Sequence, residues 1–307
     1  MKFILSNIIV DQEFIRSLPF DLSVQEVGSL NILTEDLKDI KNTSFHYSIT
    51  DGYLRDFNKE VLDVQGQEES AINEISTTWP VPSNITGSFS SVIINKNTLD
   101  IILCNDPIGI YPLYYLKNIK GFFISNSIIL IGAISQCNFD EPGIIQRCIG
   151  PEFSNFGSRT ILENCKRLMP GEYLKFNKKG NKIIAKYDNT LYQNISKSSQ
   201  DNKDNIPRKL WNALRQELDY CLNDSKIANI ALSGGLDSRI MLGAIPKNKR
   251  IKCLTYGGRK NYETKIASRL AKLKNADFES FSQPELDMTH CEIFNIYTTQ
   301  TCLSYKA

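Results

Sequence analysis

Apolar positions in the first part of the chain fall in short runs rich in Ile, Val, Phe and Tyr, over residues 3–10, 45–49, 89–94, 101–104, 113–116 and 122–125. Side chains of that kind suit a pleated, half-buried surface, so each run predicts a strand. Turn residues separate them at Asn105-Asp106-Pro107, Lys117-Asn118 and Asn177-Lys178-Lys179-Gly180. One helix is expected over 68–77. Residues 188–205 then turn polar around Asn194-Ile195-Ser196-Lys197-Ser198-Ser199-Gln200-Asp201, a composition that buries too little apolar area to order itself and reads as a linker. Beyond it the period changes. Trp211, Leu214, Leu218 and Leu222 recur at three- and four-residue steps on a helix opening near Pro207. Residues 227–232 read as a buried strand closed by Gly234-Gly235, and 238–245 as a helix stopped by Pro246. A strand at 251–256, a helical face of Tyr262, Ile266, Leu270 and Leu273, and a strand at 277–281 follow. That alternation predicts parallel βαβ units with right-handed crossovers. The expected organisation is a β-rich α+β domain over 1–187, a linker over 188–205 and an α/β domain over 206–307.

Composition narrows the function classes. With 307 residues, 41% hydrophobic and 23% charged, the chain is a folded protein of about two domains. A net charge of +2 without a long basic run argues against nucleic-acid binding. The apolar start leads into Asp11-Gln12-Glu13 with no small-residue cleavage site, so it reads as a strand rather than a signal peptide. No apolar stretch approaches the ~18 residues of a membrane span. The eight cysteines are scattered without a Cys-x-x-Cys pair, and the two histidines, His46 and His290, are isolated. Reduced thiols and a cytoplasmic setting follow, and a structural zinc site does not.

Candidate chemistry concentrates in Ser233-Gly234-Gly235-Leu236-Asp237-Ser238, at the carboxyl end of the first strand of the second domain. Open α/β sheets bind ligands at that end. Glycines lacking Cβ let backbone N–H groups approach an anion, and the following helix N-terminus adds partial positive charge. Ser233 and Ser238 offer hydroxyls to phosphate. Asp237 among phosphates makes sense as a Mg²⁺ ligand, since bare it would repel them. The alternative is an ordinary strand-to-helix turn in which Asp237 or Ser238 caps the helix. No Walker loop and no Gly-x-Gly-x-x-Gly occurs.

The loop resembles the pyrophosphate (PP) loop of ATP pyrophosphatases. Asn84-Ile85-Thr86-Gly87-Ser88-Phe89, Asp106-Pro107-Ile108-Gly109-Ile110-Tyr111-Pro112-Leu113-Tyr114-Tyr115, Phe123-Ile124-Ser125-Asn126 and Arg167-Leu168-Met169-Pro170-Gly171-Glu172-Tyr173-Leu174 precede it in order. Together they are similar to asparagine synthetases. The resemblance implies an N-terminal-nucleophile-type αββα sandwich followed by a truncated parallel-sheet PP-loop domain of the adenine nucleotide α-hydrolase-like class. It also implies ATP and Mg²⁺ as cofactors, with Leu232, Ser233, Gly234, Gly235, Leu236, Asp237, Ser238, Tyr256 and Gly257 on the nucleotide. Two departures matter. Lys2 stands where the family has its nucleophilic cysteine, and Asp51-Gly52 replaces its Asn-Gly oxyanion pair, as in glutaminase-free relatives such as β-lactam synthetases and lasso peptide cyclases. The family's helical carboxyl half, with a second glycine-and-acid segment and a lysine, has no counterpart before Ala307.

The expected function is therefore an ATP-dependent carboxylate–amine ligase that forms an amide through an acyl-adenylate, without glutamine hydrolysis, on a small-molecule or peptide carboxylate. Its catalytic residues are unassigned. The alternatives are a truncated relic that binds nucleotide or a partner, one part of a split ligase, or adenylation for thiolation or tRNA modification. Phe294, Tyr297 and Leu303 would lie uncovered at the end of the chain, so self-association through residues 289–307 or docking of a protein partner there is expected.

Overall fold

A computed structural model describes residues 2–18, 20–56, 64–80, 82, 84–149, 157–187, 205–223, 225–257 and 261–281. They form two compact units, one ending at Tyr187 and one beginning at Asn205. Most of the 188–205 segment, and all of 289–307 with its proposed contact surface, lie outside the described residues.

The first unit runs β1 (Phe3–Ser6), α1 (Gln12–Ser17), β2 (Ser23–Val27), β3 (Leu30–Thr34), β4 (Lys41–Asn42), β5 (His46–Asp56), α2 (Val64–Thr77), β6 (Ile85–Asn95) and β7 (Ile101–Asn105). It continues through β8 (Tyr114–Lys117), β9 (Phe122–Ser125), α3 (Ile128–Ser135), α4 (Glu141–Ile149), β10 (Cys165–Arg167), β11 (Glu172–Phe176) and β12 (Lys182–Tyr187). Two antiparallel six-stranded sheets result, ordered β10-β8-β9-β1-β3-β2 and β12-β11-β7-β6-β5-β4. Period-two alternation builds the layers. Phe3, Leu5, Leu30, Phe122 and Ile124 of one sheet meet Ile49, Val92, Ile94, Leu103 and Leu174 of the other in a common core. Ile4, Leu33 and Phe123 point the opposite way, onto Ile128, Ile131 and Ile134 of α3. Ile93, Ile102 and Cys104 likewise cover Ala71, Ile72 and Ile75 of α2. The unit is thus an αββα sandwich.

The apolar run 3–10 does not stay a strand. β1 stops at Ser6, whose hydroxyl donates to the Ile8 carbonyl at 3.0 Å. Asp11 then caps α1 by accepting from the Glu13 N–H at 3.2 Å, and Ile9 is left exposed. Local side-chain capping outcompetes the sheet ladder there.

A buried carboxylate organises the far end of the sandwich. Asp106 Oδ1 accepts from the backbone N–H of Ile108 and Gly109 at 2.8 and 2.9 Å, and Oδ2 from the N–H of Phe89 at 2.9 Å. Gly109 has φ +66°, and a Cβ there would lie 3.0 Å from Pro170 Cα. Its carbonyl accepts from Arg167 Nη2 at 3.1 Å, and the Asp106 carbonyl from Gly171 N–H at 2.9 Å. The two motifs at 106–115 and 167–174 are therefore two halves of one hydrogen-bonded corner.

The second unit contains α5 (Ile206–Cys221), β13 (Ile227–Ala231), α6 (Leu236–Ala244), β14 (Arg250–Tyr256), α7 (Tyr262–Leu273) and β15 (Asp277–Phe281). Its three strands are parallel in the order β13-β14-β15. Strand 227–232 is only half-buried, contrary to the sequence expectation. Both crossovers step the same way across the sheet, so α6 and α7 cover one face, where Ala228, Ile251 and Cys253 pack on Leu242, Ala267 and Ala271. The other face carries Ile227, 43% exposed, and the ion pairs Arg250–Asp277 at 2.8 Å and Lys252–Glu279 at 2.9 Å.

Replacing Asp106 by Ala leaves three amide groups without their acceptor, so chemical denaturation is expected to show a loss of about 3 kcal/mol in the first unit. A change within ~0.5 kcal/mol, the range of ordinary surface substitutions, would contradict the corner's role.

His46 gives a pH signature. Burial pulls its pKa below the ordinary 6.5, the Asn73 hydrogen bond opposing and Lys96 adding to the drop. Its folded form resists a proton that the unfolded chain accepts. Stability is therefore fully present above pH 6.5 and is lost as pH falls from there toward the lower folded value. Glu68, raised by burial, pulls the other way, so the comparison is between parent and His46→Gln. The melting temperature of the variant should fall less on acidification than that of the parent.

Candidate functional site

The Ser233–Ser238 loop joins β13 to α6 and is tied chiefly through Ser238. The Ser238 hydroxyl receives the Ser233 N–H at 3.2 Å and lies 3.0 Å from the Ser233 hydroxyl, 3.1 Å from the Ser233 carbonyl and 3.2 Å from the Gly235 carbonyl. Gly235 N–H donates to Ser233 Oγ at 3.1 Å, so this amide is used inside the loop. Arg239 Nη2 donates to the Gly234 carbonyl at 2.7 Å, which places Arg239 as a brace of the loop.

Helix α6 begins at Gly235 without a side-chain cap, so neither Asp237 nor Ser238 serves as the capping residue. Among the described residues, the N–H groups of Gly234, Leu236, Asp237 and Ser238 have no acceptor. Asp237 is exposed in the first turn, with no hydrogen-bond or ion-pair partner among the described residues. The two glycines differ: a Cβ on Gly235 would press to 3.2 Å from Ser233 Oγ, while the loop's own shape makes no such demand at Gly234. Neither has positive φ, and a Cβ on Gly234 would make an ordinary 3.4 Å contact with Ile266 Cδ1. Gly235, Leu236 and Asp237 are exposed, and Ser233, Gly234 and Ser238 are half-buried.

Beside the loop, a cleft of about 300 Å³ opens at the carboxyl ends of the strands, lined by Leu232, Ser233, Leu254, Tyr256, Glu263 and Phe281 among others. Of the residues proposed from sequence, Leu232, Ser233 and Tyr256 meet there, while Leu236 and Asp237 lie exposed on α6. Tyr256 is 80% exposed and stacks at a tilt on Phe281, ring centroids 6.4 Å apart. Gly257 does not line the cleft. It has φ +136°, and a Cβ on it would lie 2.9 Å from Asn261 Nδ2 and Thr264 Oγ1, so its absent side chain is a demand of the backbone. Sequence reasoning placed neither Phe281 nor Glu263 in the site. The signal for Phe281 was present: in parallel register Tyr256 pairs with Phe281, which puts both at the ligand end.

The first unit holds a second polar constellation. Asn126 Nδ2 donates to Asp51 Oδ2 at 3.0 Å, and Asn126 Oδ1 accepts from Phe3 N–H at 3.1 Å. Asp51 is paired in register with Ser90, whose hydroxyl is buried without a hydrogen-bond partner among the described residues. Lys2 lies within electrostatic reach: burial pulls its ammonium below the ordinary range, while Asp51 and Glu35 pull it up. Gly52, at φ +98°, has no room for a Cβ, which would sit 2.1 Å from the Ser88 carbonyl and 2.6 Å from the Tyr111 ring. A cysteine is absent from this group, and a carboxylate and an ammonium occupy it.

No cluster of three or more His, Cys, Asp or Glu suited to a metal occurs among the described residues. No described helix is long and apolar enough to cross a membrane. The six described cysteines are all free.

Comparison with known proteins places residues 79–188 in register with the family of glutamine amidotransferase domains. That span contains both halves of the Asp106 corner and ends before the second unit. Asparagine synthetase [glutamine-hydrolyzing] 1 of Bacillus subtilis (strain 168) is 24% identical over 161 residues, 52% of this chain and 24% of that protein. The chain thus spans about a quarter of the length of that relative. Among solved structures, the glutamine phosphoribosylpyrophosphate amidotransferase of B. subtilis, complexed with ADP and GMP, aligns with a TM-score of 0.31 and 11% identity over 86% of this chain and 56% of that one. An allosteric regulatory enzyme of purine biosynthesis aligns with a TM-score of 0.32 and 12% identity over 83% and 66%. The sequence matches relate the chain to asparagine synthetase-like glutamine amidotransferases.

Proposed function

We propose that this protein is an asparagine synthetase-like, ATP-dependent carboxylate–amine ligase whose amidotransferase-like first unit no longer hydrolyses glutamine, and whose second unit is a PP-loop nucleotide site. The observation that carries the reading is the uncapped loop at Ser233–Ser238, with its outward amide groups beside a cleft lined by Ser233, Tyr256 and Glu263. Four unpaired N–H groups at a helix N-terminus suit the oxygens of a pyrophosphate. Ser238 holds the loop in the shape that aims them, and Arg239 keeps the Gly234 carbonyl turned away. The Tyr256–Phe281 pair and Leu254 offer the neighbouring cleft an apolar wall fit for a purine.

Asp237 fits a magnesium ion as its one protein carboxylate, the remaining ligands being phosphate and water, as is usual for this cation. Bound there, the ion would neutralise charge on the leaving pyrophosphate. The substrate carboxylate oxygen attacks the α-phosphorus, the α–β bridging bond breaks, and pyrophosphate departs against the loop amides. An amine then displaces AMP from the acyl-adenylate to form the amide. The described residues supply binding and orientation for this sequence, and the substrate is a small-molecule or peptide carboxylate in a cytoplasmic setting.

A second reading, nucleotide binding without turnover, draws support from the isolation of Asp237, which no described acid joins in a cluster. Pyrophosphate release from ATP with candidate carboxylates separates the two readings.

Calorimetry of the intact chain is expected to show ATP binding that depends on Mg²⁺ and weakens about tenfold in Asp237→Asn. Equal affinity in parent and variant would remove the metal role. Glutamine incubated with the chain should yield no glutamate above a Lys2→Ala control, because an ammonium and the Asp51 carboxylate stand where a nucleophile and an oxyanion site are needed. Production above that control would restore glutaminase activity to the first unit.

A further inference from the structure

A second and larger cleft in the same unit, about 620 Å³, lies along β15 beneath α7. Thr264, Lys265, Ser268 and Arg269 of α7 form one side, and Phe278, Glu279 and Ser280 of β15 the other. Residues four apart on a helix share a face, so Lys265 and Arg269 stand one turn apart over the same opening. Like charges at that spacing repel, and no acid relieves them: among the described residues neither cation has an ion-pair partner. The one carboxylate on the rim, Glu279, is already engaged by Lys252 at 2.9 Å. The opening is therefore net positive and lined with hydroxyls.

Its floor carries an independent sign of incompleteness. Thr264 is 4% exposed, and its hydroxyl, turned toward Gly257 and Asn261 in the rotamer seen, is the one side-chain oxygen of the second unit buried without a hydrogen-bond partner among the described residues. A threonine on a helix has two accessible rotamers, so its hydroxyl has a second position available without disturbing the backbone. Two cations without an ion-pair partner among the described residues, two serine hydroxyls and a buried threonine hydroxyl form a donor set suited to an oxyanion.

The geometry points to a binding site for a small oxyanion-bearing molecule in this cleft, separate from the Ser233–Ser238 loop, with Lys265 and Arg269 as the charged clasp and Thr264 as the floor donor. Phosphate and carboxylate share this chemistry. The site shares the first turn of α7 with the nucleotide cleft, which Glu263 lines while Thr264 and Lys265 line the other opening. It does not depend on the ligase reading.

The test is titration calorimetry of the intact chain with inorganic phosphate and, separately, with succinate. Binding of phosphate in preference to succinate assigns a phosphorylated ligand, and the reverse a carboxylate. Arg269→Gln should weaken the preferred anion about tenfold and Thr264→Val about fivefold. Thr264→Val should leave the melting temperature unchanged or raise it, since it removes an unpaired buried hydroxyl. Asp237→Asn should leave this site's affinity intact, whatever it does to ATP. Absence of binding by both anions at millimolar concentration, or equal affinity in parent, Arg269→Gln and Thr264→Val, would overturn the assignment, the latter by placing the anion elsewhere on the protein.

Discussion

The first unit depends on what a single carboxylate does in a place closed to water. Asp106 gathers amide groups from β6 and from the turn that follows it, and these groups would otherwise be stranded in the interior. An ionised oxygen pair accepts several such bonds at once, more strongly than a neutral acceptor. The turn in turn positions Gly109 against Pro170 and fixes where β8 enters its sheet. The chain between 106 and 174 is thus held at its corner by these bonds as well as by the apolar area its strands bury. The motif at 106–115 carries the chain from β7 in one sheet to β8 in the other.

Part of the fold was legible in the sequence. Strands over 101–105 and 122–125 could be read because runs of Ile, Leu and Phe have one good use, burial in a sheet. The hairpin over residues 23–34 passed unread: Ser23, Gln25 and Glu26 give β2 a polar surface typical of an edge strand. The strand at 227–231 was recognised but taken as buried. Its apolar composition matched a two-sided environment, whereas the crossovers cover one side only. Composition reports what a residue tolerates, and topology decides what covers it.

The candidate site divides along similar lines. Ser233 to Ser238 announced themselves because adjacent glycines between a strand and a helix are locally distinctive. Phe281 and Glu263 join the same cleft through register and helix phase, which are relations among elements remote in sequence. Asp51 was read as hostile to an oxyanion. The structure adds that it is held by Asn126 and sits near a desolvated ammonium, so the group has its own internal satisfaction. The polar end of this unit is thus occupied by a carboxylate, an amide and an ammonium.

The order β13-β14-β15 has one further consequence. In open parallel sheets the natural crevice forms where the winding reverses, because loops from two neighbouring strands there part toward opposite faces. Winding in the second unit advances from β13 toward β15 without turning back, so no such reversal occurs among its described strands. The outer flank of β13 is where one would arise. A strand added on that flank would place Ser233 and Asp237 at the parting of two loops and turn a shallow opening into a walled one. A strand added beyond β15 would only widen the sheet. The direction of winding thus makes the two outer edges of the described strands unequal.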